Sequence, residues 1–398
     1  MADSDTRTNY FSLADRLDNI PPYLFQKIDD MKADAKAKGI EVTSLGIGDP
    51  DLPTPPELVE ELYKHAKITA MQKYPAYKGT QELREGIATF YSNRFGVDLN
   101  PNTETLALIG SKEGIANLGL AALNSTDTVI VPDPGYPVYA MLAVFNDCEK
   151  HMAPLKREND FLIDFGAIPN DVCERAKLLF MNYPNNPTSA LAPIEFFEEA
   201  VAWAKKWGVI IAHDNPYSEI YQSDEAPPSI LNAKGAMDVA VEFNSLSKSY
   251  NMTGWRIGMC VGNADVVQAL GRVKSNIDSG VFLPIQKVGV MALNNPIEKV
   301  DWLRDEYRQR RKAAEETLEA AGYEVYHGKG TFYVWVKTPH GIKSFDFVGK
   351  VIEETGVIVG PGSGWGESGE GYFRICLTRP VEELKELITR ITGKFPAK

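Results

Sequence analysis

Lys248 stands in a run of residue types that together could do covalent carbonyl chemistry: Ser245-Leu246-Ser247-Lys248, followed by Gly254-Trp255-Arg256-Ile257-Gly258. A lysine becomes nucleophilic toward carbonyls when its surroundings let it lose its proton, and it then holds an aldehyde as a Schiff base. The hydroxyls of Ser245 and Ser247 and the guanidinium of Arg256 are the neutral donors and the bidentate cation that a phosphate needs. Pyridoxal 5′-phosphate meets both requirements, since its chemistry uses a lysine imine and an acidic partner for a pyridinium nitrogen. A Ser-x-Ser-Lys string alone would equally suit a solvated loop, so the reading depends on the rest of such a site.

The other parts fall at the ends of strand-like runs. Asp214 closes Val209-Ile210-Ile211-Ala212-His213, an apolar run that reads as a buried strand. Ligands of α/β sheets sit beyond the carboxyl ends of the strands, so an Asp at that point can meet a pyridine nitrogen and keep it protonated. Tyr217, three residues on, can donate to a phenolic oxygen. A second strand candidate, Lys177 to Met181, runs into Asn182-Tyr183-Pro184-Asn185-Asn186-Pro187-Thr188, whose Asn186 amide can share that oxygen.

Lys248 with Arg256, Asp214 with Tyr217, and Asn186-Pro187-Thr188 resemble the signature set of the fold-type I, class I/II aminotransferases. The likeness runs from Ser44 to Arg379 and includes Leu45-Gly46-Ile47-Gly48-Asp49-Pro50-Asp51, Tyr74 through Gly79 to Arg84, Pro134-Gly135-Tyr136-Pro137 and Gly371-Tyr372-Phe373-Arg374-Ile375. It implies an α/β fold of aspartate-aminotransferase type, with a large domain built on a mostly parallel, mixed seven-stranded sheet flanked by helices and a smaller α/β domain. The boundaries expected are 46–295 for the large domain, and 1–45 with 296–398 for a discontinuous small one.

Length and composition agree. A chain of 398 residues is long for a single core. A net charge of −12 argues against a general nucleic-acid surface, which needs clustered Lys and Arg. No apolar run reaches spanning length, and Met1-Ala2-Asp3-Ser4-Asp5 lacks the character of a signal peptide. Cys148, Cys173, Cys260 and Cys376 are dispersed and form no Cys-x-x-Cys pair, as expected of reduced thiols in a cytoplasmic protein. No metal is called for.

Strand-like Thr128-Val129-Ile130-Val131, Leu178-Leu179-Phe180 and Val209-Ile210-Ile211 alternate with helical patterns, the rhythm of a parallel sheet. Between the last two, Phe197, Ala200, Val201, Ala204 and Trp207 fall at helical spacing, with Pro193 before and Gly208 after. A long charged helix is expected from Ile297 to Ala321, and a strand over Thr331 to Val336. Gly364-Trp365-Gly366-Glu367-Ser368-Gly369 fits the string of dinucleotide-binding enzymes, but that role needs a helix opening at the glycines, and here a strand-like run follows. The resemblance makes it a loop leading to the substrate carboxylate.

Leu106-Ala107-Leu108-Ile109, then Gly110-Ser111-Lys112 and the helical Glu113 to Leu123, form a strand-loop-helix whose backbone N–H groups can face an anion. The resemblance implies that Ser111 and Lys112 join Ser245, Ser247 and Arg256 around the cofactor phosphate and that Tyr136 stacks on the pyridine face. It also implies that Tyr74 reaches the neighbouring subunit's phosphate in a homodimer, with the Ser275 to Phe282 stretch, including Ser279, near that interface. Arg374 would clamp the substrate α-carboxylate with help from Gly48. Within the family, Tyr23-Leu24-Phe25, Gly110 to Gly114, Asp278 to Phe282 and Pro361 to Gly371 most resemble the L,L-diaminopimelate aminotransferases, which use glutamate as donor and release 2-oxoglutarate. Tyr23, Lys112 and Asn186 would then meet substrate. Aspartate, alanine or aromatic amino acids stay open as substrates, as does a cystathionine-type β-lyase on the same fold. Two departures stand out: Ser189, where glycine usually follows Asn-Pro-Thr and a tight turn is at stake, and Asn215-Pro216, where small residues are common.

Overall fold

The computed structural model describes residues 12–20, 24–294 and 300–398, and of 24–27 the backbone only. Tyr23 and the expected helix start at Ile297 lie outside the described residues; the helix is present as Asp301–Ala320. Strand β1 (Thr43–Ser44) follows a helix, Leu24–Ala37. Seven strands build the main sheet: β2 (Thr105–Leu108), β3 (Thr128–Asp133), β4 (Glu149–Pro154), β5 (Ala176–Met181), β6 (Ile210–Asp214), β7 (Ala240–Ser245) and β8 (Gly258–Gly262). They lie in the order β2-β8-β7-β6-β5-β3-β4. Neighbours pair parallel except at β8, which runs antiparallel to β2 and β7.

The continuous apolar runs have the reason expected of them. Every residue of β3, β7 and β8 is buried, because helices cover both faces of the sheet. Helix Ile194–Trp207 shows how the cover is made. Phe197, Ala200, Val201 and Ala204 are buried on one stripe, and Gly208 at φ +68° ends the helix with its N–H on the Ala204 carbonyl. Burying a side chain the size of Phe197 contributes roughly 1.5–3 kcal/mol.

After Asp301–Ala320 come β9 (Val325–Tyr326), β10 (Tyr333–Lys337), β11 (Val357–Ile358), β12 (Gly360–Pro361) and β13 (Tyr372–Cys376). Strands β12-β13-β10-β9 form an antiparallel sheet in which Trp335 and Gly360 stand opposite Arg374. β11 pairs parallel with β1, so the early segment is strapped to the late one. The Arg310 guanidinium adds a bidentate ion pair to Asp51 at 2.7 and 3.0 Å and a bond to the Leu377 carbonyl at 2.9 Å. The loop from Gly46 to Asp51 is thereby fixed between the two sheets. The glycine string at 364–369 forms two single 3-10 turns that run into β13 instead of opening a helix.

Candidate active site

The loops that leave β2, β3, β5, β6 and β7 share the carboxyl edge of the main sheet. Because β8 runs the other way, the residues just before it lie on that same edge, and this is where Arg256 sits. From the sequence candidates, Gly48, Ser111, Lys112, Tyr136, Asn186, Asp214, Tyr217, Ser245, Ser247, Lys248, Arg256 and Arg374 line one cavity of about 300 Å³. Tyr139, Asn182, Tyr333 and Trp365 line it too. Tyr74 is 87 % exposed and, like Ser279, does not line the cavity, while Tyr23 lies outside the described residues.

Asp214 is the last residue of β6. Its Oδ2 accepts a hydrogen bond from the Tyr139 hydroxyl at 2.6 Å, while its Oδ1 is buried without a hydrogen-bond partner. Burial raises the carboxyl to about 6, against the opposing pull of the Tyr139 donor and of His213. The backbone carbonyl of Asp214 accepts from the Asn182 amide at 2.7 Å, and Asn182 Oδ1 accepts from the Asn186 N–H at 2.7 Å. Asn182 thus fixes the loop after β5 to the end of β6. Behind the sheet the His213 ring hydrogen-bonds the Tyr183 carbonyl and the Glu242 carboxylate, each at 2.9 Å, holding the same loop from below.

Lys248 lies in the four-residue helical turn Leu246–Ser249 after β7. Its amine donates to the Gly48 carbonyl at 3.0 Å, and burial pulls its pKa from 10.5 down to about 8, partly opposed by Asp49. About a tenth of the amine is therefore neutral at pH 7, far more than for a solvated lysine, and a carbonyl nucleophile needs that neutral form.

A separate corner is built for an anion. Gly110 leads into helix Ser111–Ala122 at φ +76°, and a Cβ there would lie 2.3 Å from Arg256 Nη2. The helix N-terminus and the guanidinium therefore converge on one space, with the Ser245 and Ser247 hydroxyls, 2.9 Å apart, beside it. Arg256 is steered by a bond to the Thr253 carbonyl at 2.9 Å.

The opposite wall belongs to Arg374 on β13. The guanidinium donates to Asn186 Oδ1 at 2.6 Å and to the Gly46 carbonyl at 2.8 Å, and its Nε is buried with no hydrogen-bond partner. It lies 4.0 Å from the Tyr333 ring centroid and 4.2 Å from that of Trp365. The Tyr217 and Tyr333 hydroxyls pair at 2.8 Å, and burial raises both phenols, Tyr333 to about 12. Ser189 keeps the tight turn by adopting φ +67° itself, with its hydroxyl bonded to the Tyr333 carbonyl at 2.8 Å and to Thr331 Oγ1 at 2.6 Å. Pro216 forms part of the cavity wall, and the buried Asn215 donates its N–H to the Phe243 carbonyl at 2.7 Å.

One cavity thus holds a corner where a helix N-terminus, a guanidinium and two hydroxyls meet, a lysine with a depressed pKa, a carboxylate oxygen without a partner and a second arginine. The chain matches the family described as aminotransferase class I and II over residues 40–391. It belongs to that family. This aminotransferase is 52 % identical over 381 residues to a protein of Aquifex aeolicus named LL-diaminopimelate aminotransferase, covering 96 % of this chain and 98 % of that one. Among solved structures, substrate-bound BacF from Bacillus subtilis superposes with a TM-score of 0.94 at 34 % identity, over 98 % of this chain and 99 % of that one. An aspartate aminotransferase mutant from Thermus thermophilus superposes with a TM-score of 0.90 at 26 % identity, over 96 % and 99 %. The fold is thus aspartate-aminotransferase-like, and the enzyme is a transaminase.

Proposed function

We propose that this aminotransferase is an L,L-diaminopimelate:2-oxoglutarate aminotransferase that uses pyridoxal 5′-phosphate and serves lysine biosynthesis. The observation that carries the cofactor reading is the pairing of the Lys248 amine, lowered to about 8, with the unpartnered buried oxygen of Asp214 in one cavity. The substrate rests on the Aquifex relative's name at 52 % identity over nearly the whole of both chains.

The residues present fit the cofactor: Ser111, Ser245, Ser247 and Arg256 for its phosphate, with Lys112 beside them and Gly110 keeping the space before Arg256 open, Asp214 for its ring nitrogen, Tyr136 for its ring face, and Tyr217 and Asn186 for its phenolic oxygen. When bound, it supplies an aldehyde for the substrate amine and a ring that accepts the electron pair released at Cα. Lys248 would be the base that takes the Cα proton and delivers it, across the substrate's amino nitrogen, to the carbon of the cofactor's aldehyde, a role its lowered pKa favours. Asp214, held by Tyr139, keeps a negative charge against a cationic ring nitrogen. Arg374 fixes the α-carboxylate, and so the direction of the Cα–H bond, because Asn186, Gly46, Tyr333 and Trp365 leave its guanidinium little freedom.

A homodimer completes the proposal. The Tyr74 side chain is almost wholly exposed and suits a role in a second copy's phosphate site. The division into 46–295 and a discontinuous 1–45 with 296–398 is supported by the β1–β11 pairing. A cytoplasmic location suits four cysteines that are all free thiols. The test is to add L,L-diaminopimelate, glutamate, aspartate, alanine and phenylalanine singly to cofactor-loaded protein and follow the visible band. Loss of the band with diaminopimelate and glutamate supports the assignment. Loss with the others alone discards the diaminopimelate reading, and a Lys248→Ala variant that still transfers amino groups discards the mechanism.

A further inference from the structure

Strand β3 ends on Asp133, which is 5 % exposed and does not line the cavity. Its carboxylate reaches across to the loop before β13. Oδ1 and Oδ2 accept from the Ser368 N–H at 3.1 and 3.2 Å, and Oδ2 also accepts from the Ser368 hydroxyl at 3.0 Å. A second bond runs alongside, from the Gly135 N–H to the Trp365 carbonyl at 2.8 Å. Gly366, at φ +133°, lets the carboxylate lie against the loop backbone: a Cβ there would fall 2.0 Å from Asp133 Oδ1. The other end of the loop is tied to its own side, where the Glu370 carboxylate accepts from the Ser344 N–H at 2.6 Å and the Gly371 N–H at 2.8 Å. Of this loop only the Trp365 side chain lines the cavity, where its indole lies against Arg374.

We infer that Asp133 is a positioning residue of the amino-acid site: by clamping Ser368 it holds Trp365 against the Arg374 guanidinium and so sets how tightly a substrate α-carboxylate is bound. The inference rests on reading Arg374 as the α-carboxylate clamp. It gives the glycine string at 364–369 a purpose other than dinucleotide binding. It also makes one strand end serve both halves of the site, because Asp133 leads directly into Gly135 and the cavity-lining Tyr136.

Two full-length, cofactor-loaded variants test it, Asp133→Asn and Ser368→Ala, with Arg374→Lys in parallel. Replacing one carboxylate oxygen by an amide nitrogen sets a donor against the Ser368 donors. The expected result is a rise in KM for both the amino acid and the 2-oxo acid, about tenfold in Asp133→Asn and about threefold in Ser368→Ala, which keeps the backbone donor, with kcat changed less than about twofold. The dissociation constant of pyridoxal 5′-phosphate, read by fluorescence, stays within about twofold, because no phosphate or ring contact is touched. An unchanged KM in Ser368→Ala overturns the inference even if Asp133→Asn fails to fold. So does a loss of cofactor affinity that matches the rise in KM, which would mean general loosening. If Arg374→Lys leaves KM unchanged, it is the clamp reading that fails. If Arg374→Lys raises KM and the other two variants do not, the clamp stands and Asp133 has no part in it.

Discussion

Replacing Lys248 by methionine in the cofactor-free protein should stabilise the fold near neutral pH. The substitution keeps a long apolar stem and removes the amine. The amine titrates at about 8 in the folded chain against 10.5 when solvated, a gap that corresponds to roughly 3.4 kcal/mol. The sign follows from which state holds the proton more tightly. Between pH 8 and 10.5 the unfolded chain does, so the wild-type stability rises with pH across that window and the cost of the charged amine is complete below it. The side chain is only half-buried and faces a cavity that admits water, and the variant forfeits the bond to the Gly48 carbonyl. A net gain of about 1–2 kcal/mol at pH 7 is left. Urea unfolding of both proteins at pH 7 and pH 10.5 measures it, and taking the difference between them cancels every other titrating group. The advantage should be present at pH 7 and gone or reversed at pH 10.5. A methionine variant that is less stable at pH 7, or an advantage indifferent to pH, would refute the claim that this amine is desolvated.

Tyr139→Phe removes the 2.6 Å donor to Asp214, and loss of one charge-assisted bond should raise that carboxyl from about 6 by about one to two pH units and weaken cofactor binding by about tenfold. Cofactor titrations from pH 6 to pH 9 check it, with the deficit largest at the acidic end, where more of the carboxyl is protonated. Gly110→Ala forces a methyl onto Arg256 Nη2 at a φ of +76°. Affinity for pyridoxal 5′-phosphate should drop at least about tenfold while affinity for pyridoxal, which lacks the phosphate, barely changes. Ser189→Gly relaxes a left-handed φ of +67° but abandons the bonds to Thr331 and the Tyr333 carbonyl, so a net destabilisation of about 1 kcal/mol is expected in urea unfolding.

The main-sheet half of the site was legible because strand ends announce themselves. Apolar runs such as Val209 to His213 are short enough to be strands, and the polar residue that closes each one falls on the carboxyl edge. Asp214 follows from that rule, Asn186 lies in the loop that the next such run enters, and Lys248 is legible from the hydroxyls and the arginine around it in sequence. Arg256 is legible as a phosphate cation eight residues after Lys248, but what brings it to the same edge is the reversal of β8, and no local pattern signals that a strand is antiparallel. Tyr139 was missed for a different reason. It lies in the first turn of the apolar helix Val138–Asn146, where a tyrosine reads as core; its one signal was a hydroxyl that burial obliges to find a partner. Tyr333 and Trp365 meet Arg374 from positions far apart in the chain, one from the strand paired with β13 and the other from a turn before it, so no spacing signals the contact.

Two residues of the cavity leave buried polar atoms without a hydrogen-bond partner, as eight other atoms do elsewhere among the described residues. Buried polar atoms are ordinarily satisfied, and leaving one without a partner costs about 1–3 kcal/mol. Asp214 and Arg374 each leave a buried atom unmatched, Oδ1 on one and Nε on the other, although both side chains are otherwise held by short hydrogen bonds. The partners that fix the two side chains come from the first turn of a helix for Tyr139 and from the loop after β5 for Asn186. An oxygen and a nitrogen held in this way, with a depressed lysine in the same cavity, present opposite charges to one bound molecule. A ligand with a cationic nitrogen at one end and a carboxylate at the other can offset both penalties at once, which neither water nor a single counter-ion does.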